Sequence, residues 1–579
     1  MAEFDVVIKD GTIIDGTKVP RYRADLGIKN GKVAKIGRLQ ASDATRVIDA
    51  SGLIVAPGAI DLHTHYDAQI HWDPYCTIGS WHGITSVTLG NCGFGFAPLR
   101  AQDAERAMLA LSRNEAIPLE PMQVSIKVDW ETFPQYMDRL ERLPLGVNIS
   151  QLFPISPAVA YEMGGFDEAK KRLPNDKDME RILHHFHGAM QAGAAGWSTQ
   201  RLISRGALQR DYDGTPMISD ILPEDFYLTM ARELGKSGGD GFIQITQSTV
   251  EADQSAFGTQ GDIDFSAQMA SESGCSVLFN AIVVNDRFPE VHQAQLQRIA
   301  EHNAEGRRVL GQGLTTRMPA RLTLEDWNLF DDSEAWRNAT VGTVEERKAK
   351  LSDPQMRKAL QQDFDSPKSS DFLFGELPKF IARKVRHPGL KDKYEGLSIS
   401  QIAERENKHP IDAMLDLSVA DDLRTEWAGP VTAAKVENFK ELMESPYVLP
   451  GVSDGGAHVK FITPSIYPTE VLAWMSRDAG LLSLEEAHFR LSGLMAWASC
   501  IKDRGTLREG NAADIMIYDL DKLNALPDEI VHDLPAGEWR RVQRAEGYRY
   551  IMVNGEPIFE DGDCTGATPG KLLRGGQAR

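Results

Sequence analysis

The stretch "GLIVAPGAIDLHTHYD", residues 52–67, decides how the rest of the chain is read. Apolar and β-branched residues run into His63-Thr64-His65 and then into a polar loop. Side chains alternate along a strand, so two histidines one residue apart at its end point to the same face. Paired imidazoles suit a borderline metal such as zinc, whereas an isolated His-x-His reads equally well as two polar residues closing a strand. The flanking sequence has to separate the two readings.

Upstream, "FDVVIKDGTIIDG", "ADLGIKNGKVAKIG" and "TRVIDASGLIVAPG" are short alternating apolar runs punctuated by Asp-Gly, Asn-Gly and Ser-Gly. That is the pattern of a β-meander. The same texture returns in "GTLREGNAADIMIYDL" and "YRYIMVNGEPIFEDGD". Both chain ends are therefore expected to build one small β-domain, from residues 1–57 and 501–579. Between them, β-rich segments alternate with amphipathic helical ones, which points to repeated βα units and a parallel sheet. Eight strands can be counted: "LIVAPGAIDLH", "TSVTLGNC", "GVNISQLFP", "GAAGWST", "GFIQITQ", "VLFNAIV", "RVLGQGLT" and "YVLPGVSD". Eight units predict an α/β chain folded as a (β/α)8 TIM-like barrel over residues 58–500, with its catalytic groups at the carboxyl ends of the strands. Residues 316–440 separate the seventh strand from the eighth. They are too long for a βα loop and are expected to form a helical insertion over the barrel mouth.

Barrel closure makes the first and eighth strands neighbours. The eighth ends in "PGVSDGGAH", so Asp454 is expected beside His63 and His65, able to bind the same ion and to accept a proton as the catalytic base. Such a base works because a metal lowers the pKa of its water from about 15.7 to roughly 7. His458, four residues on, is a second candidate at the mouth, since imidazole titrates near neutrality.

Bulk properties narrow the partners. The 579 residues carry a formal net charge of −20, with 42% hydrophobic and 25% charged residues. This is the mixture of a globular chain with a sizeable core, and the charge opposes nucleic acid or an anionic membrane as a partner. No stretch approaches the ~18 apolar residues of a membrane span, and the start "MAEFDVVIKDG" does not read as a signal peptide. Five scattered cysteines (Cys76, Cys92, Cys275, Cys500, Cys564) argue against a disulfide framework. A cytoplasmic chain acting on a small molecule is expected, with a homo-oligomer left open.

Taken together, these motifs resemble the amidohydrolase superfamily and, within it, the N-acyl-D-amino-acid deacylase (D-aminoacylase) family. The resemblance spans nearly the whole chain, through "VIKDGTIIDG", "GLIVAPGAIDLHTHYD", "GITSVTLGNCGFGFAP", "GAAGWST", "SDGGAH", "GLLSLEEAHFRLSGLMAWASCIKDRGTLREGNAADIMIYD" and "GATPGKLLRGG". It implies a (β/α)8 barrel plus β-sandwich and metal-dependent hydrolysis of a non-peptide C–N bond, foremost that of an N-acyl-D-amino acid. It also implies that Cys92, in "GNCGF", is the family's bridging thiolate.

The departures narrow the expectation. The fifth and sixth strands of the family each supply a histidine, but here they read "IQITQST" and "LFNAIVV", placing Gln247 (or Thr246) and Asn280 there. Neutral amides are poor zinc ligands. The expected set is therefore His63, His65, Asp454 and Cys92 around one zinc ion. The family's carboxylate-binding lysine after the sixth strand and arginine after the eighth are also absent, with Thr469 standing near the latter. Arg201 or Arg205 in "STQRLISRG", Arg317 and Lys460 are candidates to replace them, and Gln247, Asn280 and His458 are further substrate-binding candidates. Loss of both clamps keeps two alternatives open. One is a cyclic amide, lactone or other acyl substrate without an amino-acid carboxylate. The other is a metal-poor barrel acting as a binding or assembly subunit.

Overall fold

The Asn-Gly pairs at both chain ends turn strands back on themselves. In the computed structural model, which describes residues 2–203, 209–238, 240–249, 258–326, 330–331, 333–366, 376–431 and 433–575, the amino-terminal segment forms β1 (Phe4–Ile13), β2 (Tyr22–Lys29), β3 (Lys32–Gly37), β4 (Ala44–Asp49) and β5 (Ile54–Pro57). Asn30 and Gly31 take φ of 51° and 75° in the β2–β3 turn, a left-handed conformation these two residues adopt at low cost. A Cβ on Gly31 would also come within 2.8 Å of the Asn554 carbonyl, so this glycine admits the turn from the opposite chain end.

The expected first strand proves to be two. Ile54–Pro57 pairs with β1 in the terminal sheet, whereas β6 (Ala59–Asp61) pairs in parallel with β7 (Ile84–Leu89). Gly58 allows the crossing, because a Cβ there would fall 2.3 Å from the Thr85 side chain. A continuous apolar run hides such a break, since both halves are buried on both faces.

From β7 the parallel pairing proceeds strand by strand. β8 (Asn148–Gln151) pairs with β7, and β9 (Phe153–Pro154), one residue later, pairs with β10 (Gly196–Leu202). β11 (Phe242–Ser248), β12 (Ser276–Ile282) and β13 (Val309–Leu314) follow in order. Helices α1 (Ala104–Asn114), α2 (Phe133–Glu141), α3 (Asp176–Gln191), α4 (Glu224–Gly235), α5 (Gln260–Ser273) and α6 (Pro289–Ala304) make the crossovers. Thr132 and Asn175 start α2 and α3 with reciprocal capping boxes.

After β13 the chain leaves for β14 (Pro319–Leu322), β15 (Ile381–Lys384) and β16 (Glu426–Val431) before returning to β17 (Val448–Gly451), which pairs with β13. A parallel bridge from Thr64 to Gly455 then joins the end of the series to its beginning. Helices were expected in the insertion, but it also holds a three-stranded antiparallel sheet in the order β14-β16-β15. Its strands are short, polar in part and paired across long stretches of chain, Leu322 with Trp427 and Ala382 with the same Trp427, so no local signal marks them. The insertion has its own apolar core around Trp336, Leu360, Ile402, Met414 and Trp427. Helix Val436–Glu444 packs Phe439 and Leu442 into the main core instead, so the insertion ends as a packing unit near Val431.

β18 (Ile515–Tyr518) pairs antiparallel with β5 and with Tyr548–Val553, completing a nine-stranded sheet from both chain ends. The architecture is α/β. No helix among the described residues is long and apolar enough to cross a membrane.

Alternation along the parallel strands places the site. Ile60, Phe242, Leu278, Leu310 and Leu449, each from a different strand, and Leu152 between β8 and β9 belong to one buried apolar cluster. Counting two residues onward keeps the same face and turns polar toward the carboxyl ends: Phe242 leads to Gln244 and Thr246, Leu278 to Asn280, and Leu310 to Gln312.

Candidate metal centre

His63 and His65 follow β6 directly and are buried, at 1% and 2% exposure. The end of the last parallel strand fixes them. His65 N–H donates to Gly455 O at 2.7 Å, and Ser453 Oγ donates to His63 O at 3.0 Å. These bonds bring Asp454 to the two rings. Its Oδ1 lies 3.2 Å from His63 Nε2 and 3.9 Å from His65 Nε2. Asp454 holds φ of 43°, left-handed for a non-glycine residue.

The tautomer of His63 follows from its neighbour. An amide oxygen only accepts, so His63 Nδ1–H donates to Gln312 Oε1 at 3.2 Å and Nε2 is left facing Asp454. Outer partners of this kind hold metal-ligating histidines in place. Cys92, in the tight turn after β7, presents Sγ 3.6 Å from the same Nε2. Burial opposes charge on His63, yet Cys92 and Asp454 together hold its imidazole well above the usual pKa. Burial would also raise Asp454, but the His63 hydrogen bond and the nearby histidines hold its carboxyl below the ordinary range. The cluster draws positive charge to the point its donors face.

A tetrahedral zinc site, with bonds of roughly 2.0–2.3 Å, sets its donor atoms about 3.3–3.8 Å apart. The separations of 3.2, 3.6 and 3.9 Å straddle that spacing, and donor atoms of His63, His65 and Cys92 all lie within 4.8 Å of one another. Two nitrogens, a sulfur and a carboxylate oxygen form a donor set of the chemical kind that zinc takes.

The sites on the fifth and sixth strands are occupied by neutral groups. Thr246 and Asn280 line the cavity. Gln247, the first-named candidate for the fifth strand, points the other way and donates to Asp262 Oδ1 of α5 at 2.9 Å. The parallel strand is buried on both faces, so alternation of polarity did not reveal which residue faces in.

Among the described residues, the arginines and the lysine proposed as substrate clamps are not brought to the site. Arg201 lies between Tyr227 and Phe265 of α4 and α5, 5.3 and 4.6 Å from their rings. Arg317 bonds Glu470 at 3.0 Å and stacks on Trp474. Lys460 pairs with Asp326 at 2.8 Å, Thr469 bonds His82 at 2.7 Å, and Arg205 lies outside the described residues. His458 does line the cavity. Burial pushes its pKa down to about 4, and its Nε2 stands 3.4 Å from Glu115 Oε2.

Glu115 is the residue that the sequence did not disclose. It follows α1, is 1% exposed, and lies 3.5 Å from His65 Nε2. Burial, and after it the charge of Asp454, pushes its pKa up to about 8. In "SRNEAIP" it reads as an ordinary solvated acid at a helix end.

Above these groups lies a cavity of about 260 Å³ whose upper wall includes Val284, Leu314, Met318, Phe380 and Ile462. Arg321 also lines it, but it is 6% exposed and donates to Phe461 O at 3.0 Å and Asp528 Oδ1 at 3.3 Å. Burial, with Arg541 beside it, lowers its pKa to about 10.

The sequence and the fold have counterparts among known proteins. Residues 46–559 match the model of the amidohydrolase family. An uncharacterized protein of Mycobacterium tuberculosis (strain ATCC 25618 / H37Rv) is 29% identical over 91% of this chain and 86% of its own. D-aminoacylase of Alcaligenes xylosoxydans xylosoxydans is 25% identical over 98% of this chain and 97% of its own. The structure of an N-acyl-D-glutamate deacylase from Bordetella bronchiseptica, complexed with zinc and a phosphonate mimic of the tetrahedral intermediate, superposes with a TM-score of 0.66. The two are 22% identical, and the match covers 99% of this chain and all of the other.

Proposed function

The chain belongs to the amidohydrolase family, and from that premise we propose that it hydrolyses the amide C–N bond of a small acyl substrate, in the manner of an N-acyl-D-amino-acid deacylase. We read the returning series of parallel strands as a (β/α)8 barrel over residues 58–500, and the sheet from residues 1–57 and 501–579 as its β-sandwich companion. One observation carries the functional reading: two imidazoles, a thiol and a carboxylate from three strands converge beneath an apolar cavity. His63, His65, Cys92 and Asp454 would hold a single zinc ion. When bound, zinc supplies Lewis acidity toward the carbonyl and makes water nucleophilic near neutral pH.

The remaining work falls to this chain's own groups. Asp454, held ionised beside the histidines, accepts a proton from the attacking water and returns it to the leaving nitrogen. Gln312 keeps His63 in the tautomer that leaves Nε2 available. The apolar wall excludes bulk water and strengthens every electrostatic contact within.

A second reading has its own observation. Arg201 is stacked between two rings, Arg317 and Lys460 pair with Glu470 and Asp326, and among the described residues the one arginine lining the cavity is already held by Asp528. That favours a neutral, cyclic or lactone substrate over one bearing an α-carboxylate. Both readings expect close to one zinc per chain when the protein is purified without chelator, and turnover that chelation removes. Active protein with no stoichiometric metal would refute them. Paired assays on N-acyl-D-amino acids and the corresponding neutral amides separate the two. If the carboxylate confers no advantage in kcat/KM, the second reading stands.

A further inference from the structure

The neutral residues that occupy the two histidine positions are joined by hydrogen bonds whose directions can be fixed. The Cys92 backbone N–H can only donate, and it bonds Gln244 Oε1 at 2.7 Å. With the Gln244 oxygen so placed, its Nε2 is the donor to Thr246 Oγ1 at 3.1 Å. Asn280 Nδ2 donates to the same oxygen, also at 3.1 Å. A hydroxyl has two acceptor lone pairs and one hydrogen. Both lone pairs of Thr246 are taken, so its hydrogen is directed at the remaining neighbour, Cys92 Sγ, 3.1 Å away. All four side chains are at most 4% exposed, which makes each of these bonds costly to leave unmade.

We infer that Gln244, Thr246 and Asn280 are positioning residues that end in a hydrogen bond from the Thr246 hydroxyl to the Cys92 sulfur, and so tune that sulfur as a ligand of the single ion. The inference rests on the metal reading above. Two positions that the sequence led one to compare with metal ligands here control a ligand. A sulfur that receives a hydrogen bond has its electron density lowered and its orientation fixed, as outer partners do for other metal ligands.

Cobalt(II) chloride is the probe. Wild-type, Thr246→Val and Thr246→Ser chains are stripped with chelator, reloaded with cobalt(II), and compared by the sulfur-to-cobalt charge-transfer band and by cobalt(II) affinity. Valine keeps the β-branch and drops only the hydroxyl. The band is expected to move to lower energy in T246V, because a thiolate relieved of a hydrogen bond is a stronger electron donor. Affinity is expected to fall about 10–100-fold, and T246S to restore both. If the valine variant does not fold by circular dichroism, Thr246→Ala removes the same hydroxyl and carries the same expectation. A band that superimposes on the wild type, a band missing from the loaded wild type, or a T246S that behaves like T246V overturns the inference alone. A wild-type chain that takes up no cobalt removes the metal reading and the inference with it.

Discussion

The floor and the upper wall of the cavity are built by different parts of the chain under opposite rules. The floor sits at the carboxyl ends of the parallel strands, where His63, His65, Cys92 and Asp454 crowd donor atoms that attract a cation. Backbone bonds from the end of the last parallel strand, and amide bonds from Gln312 and Gln244 on strands across the interior, hold them in place. Much of the wall comes from the insertion, which turns Met318 and Phe380 toward the cavity. The insertion also packs its own apolar core and contributes Arg321, Arg383 and Glu426 to a charged cluster at its contact with the C-terminal segment. There Glu426 of β16 bonds Arg541 at 2.7 Å, and Asp528 bonds Arg541, Arg321 and Arg383. The contrast separates two tasks: the floor concentrates charge for the reaction, and the wall is mainly apolar, with its charged members Arg321 and Glu376 each paired to another charge.

The sharpest way to test that separation is to destroy the floor alone. Replacing His63 and His65 together by alanine is expected to abolish bound metal, read by elemental analysis, and to reduce turnover to background. The insertion should stay intact by limited proteolysis. Retained metal or retained rate would show that the floor is not the reacting centre.

Next in size is a break in the charged cluster. Glu426→Gln leaves Arg541 and Arg321 with one buried partner fewer, and disruption of such a pair typically costs about 3–5 kcal/mol. A lower urea midpoint with unchanged metal content is expected. If metal content fell in step with stability, floor and wall would be one cooperative unit. A smaller effect is expected from Met318→Ala, which removes apolar surface from the wall. On an apolar acyl substrate, kcat/KM should fall about 10–200-fold, chiefly through KM, with kcat nearly unchanged. A fall confined to kcat would place Met318 with the chemistry instead.

The floor was far more legible in the sequence than the wall, and the reason is physical. His63 and His65 lie two residues apart at a strand end, and closure of the series places Asp454 beside them, so periodicity and topology alone bring three of the four donors together. Cys92 came through family resemblance. What stayed hidden depends on facing and on distance along the chain. Thr246 rather than Gln247 faces the cavity, yet β11 is buried on both faces and shows no alternation. Glu115 reaches His65 only because the loop after α1 folds inward. β14 and β16 pair across about a hundred residues, and Arg321, Glu426, Asp528 and Arg541 meet from three separate stretches. Local patterning carries no trace of such meetings.

The smallest expected effect concerns the pH at which the wall loosens. Burial alone would raise the Asp528 carboxyl, but Arg321 and Arg541 hold it below the ordinary range. The folded pKa thus lies below the unfolded one, about 3.9 for aspartate. A depressed carboxylate contributes stability that is fully present above the unfolded value and is lost as pH falls through the folded one. Asp528→Asn keeps the shape and removes the charge. The melting-temperature gap between wild type and D528N should therefore be constant from pH 8 to 5 and shrink below about pH 4. Asp528 is 18% exposed, so solvent screening should keep the pH-dependent part to about 1 kcal/mol. A gap that does not change with pH would mean that packing, not charge, holds the insertion to the C-terminal segment. The same scan repeated on the His63/His65 double variant should give the same profile, because the charges that hold the wall are not those that build the floor.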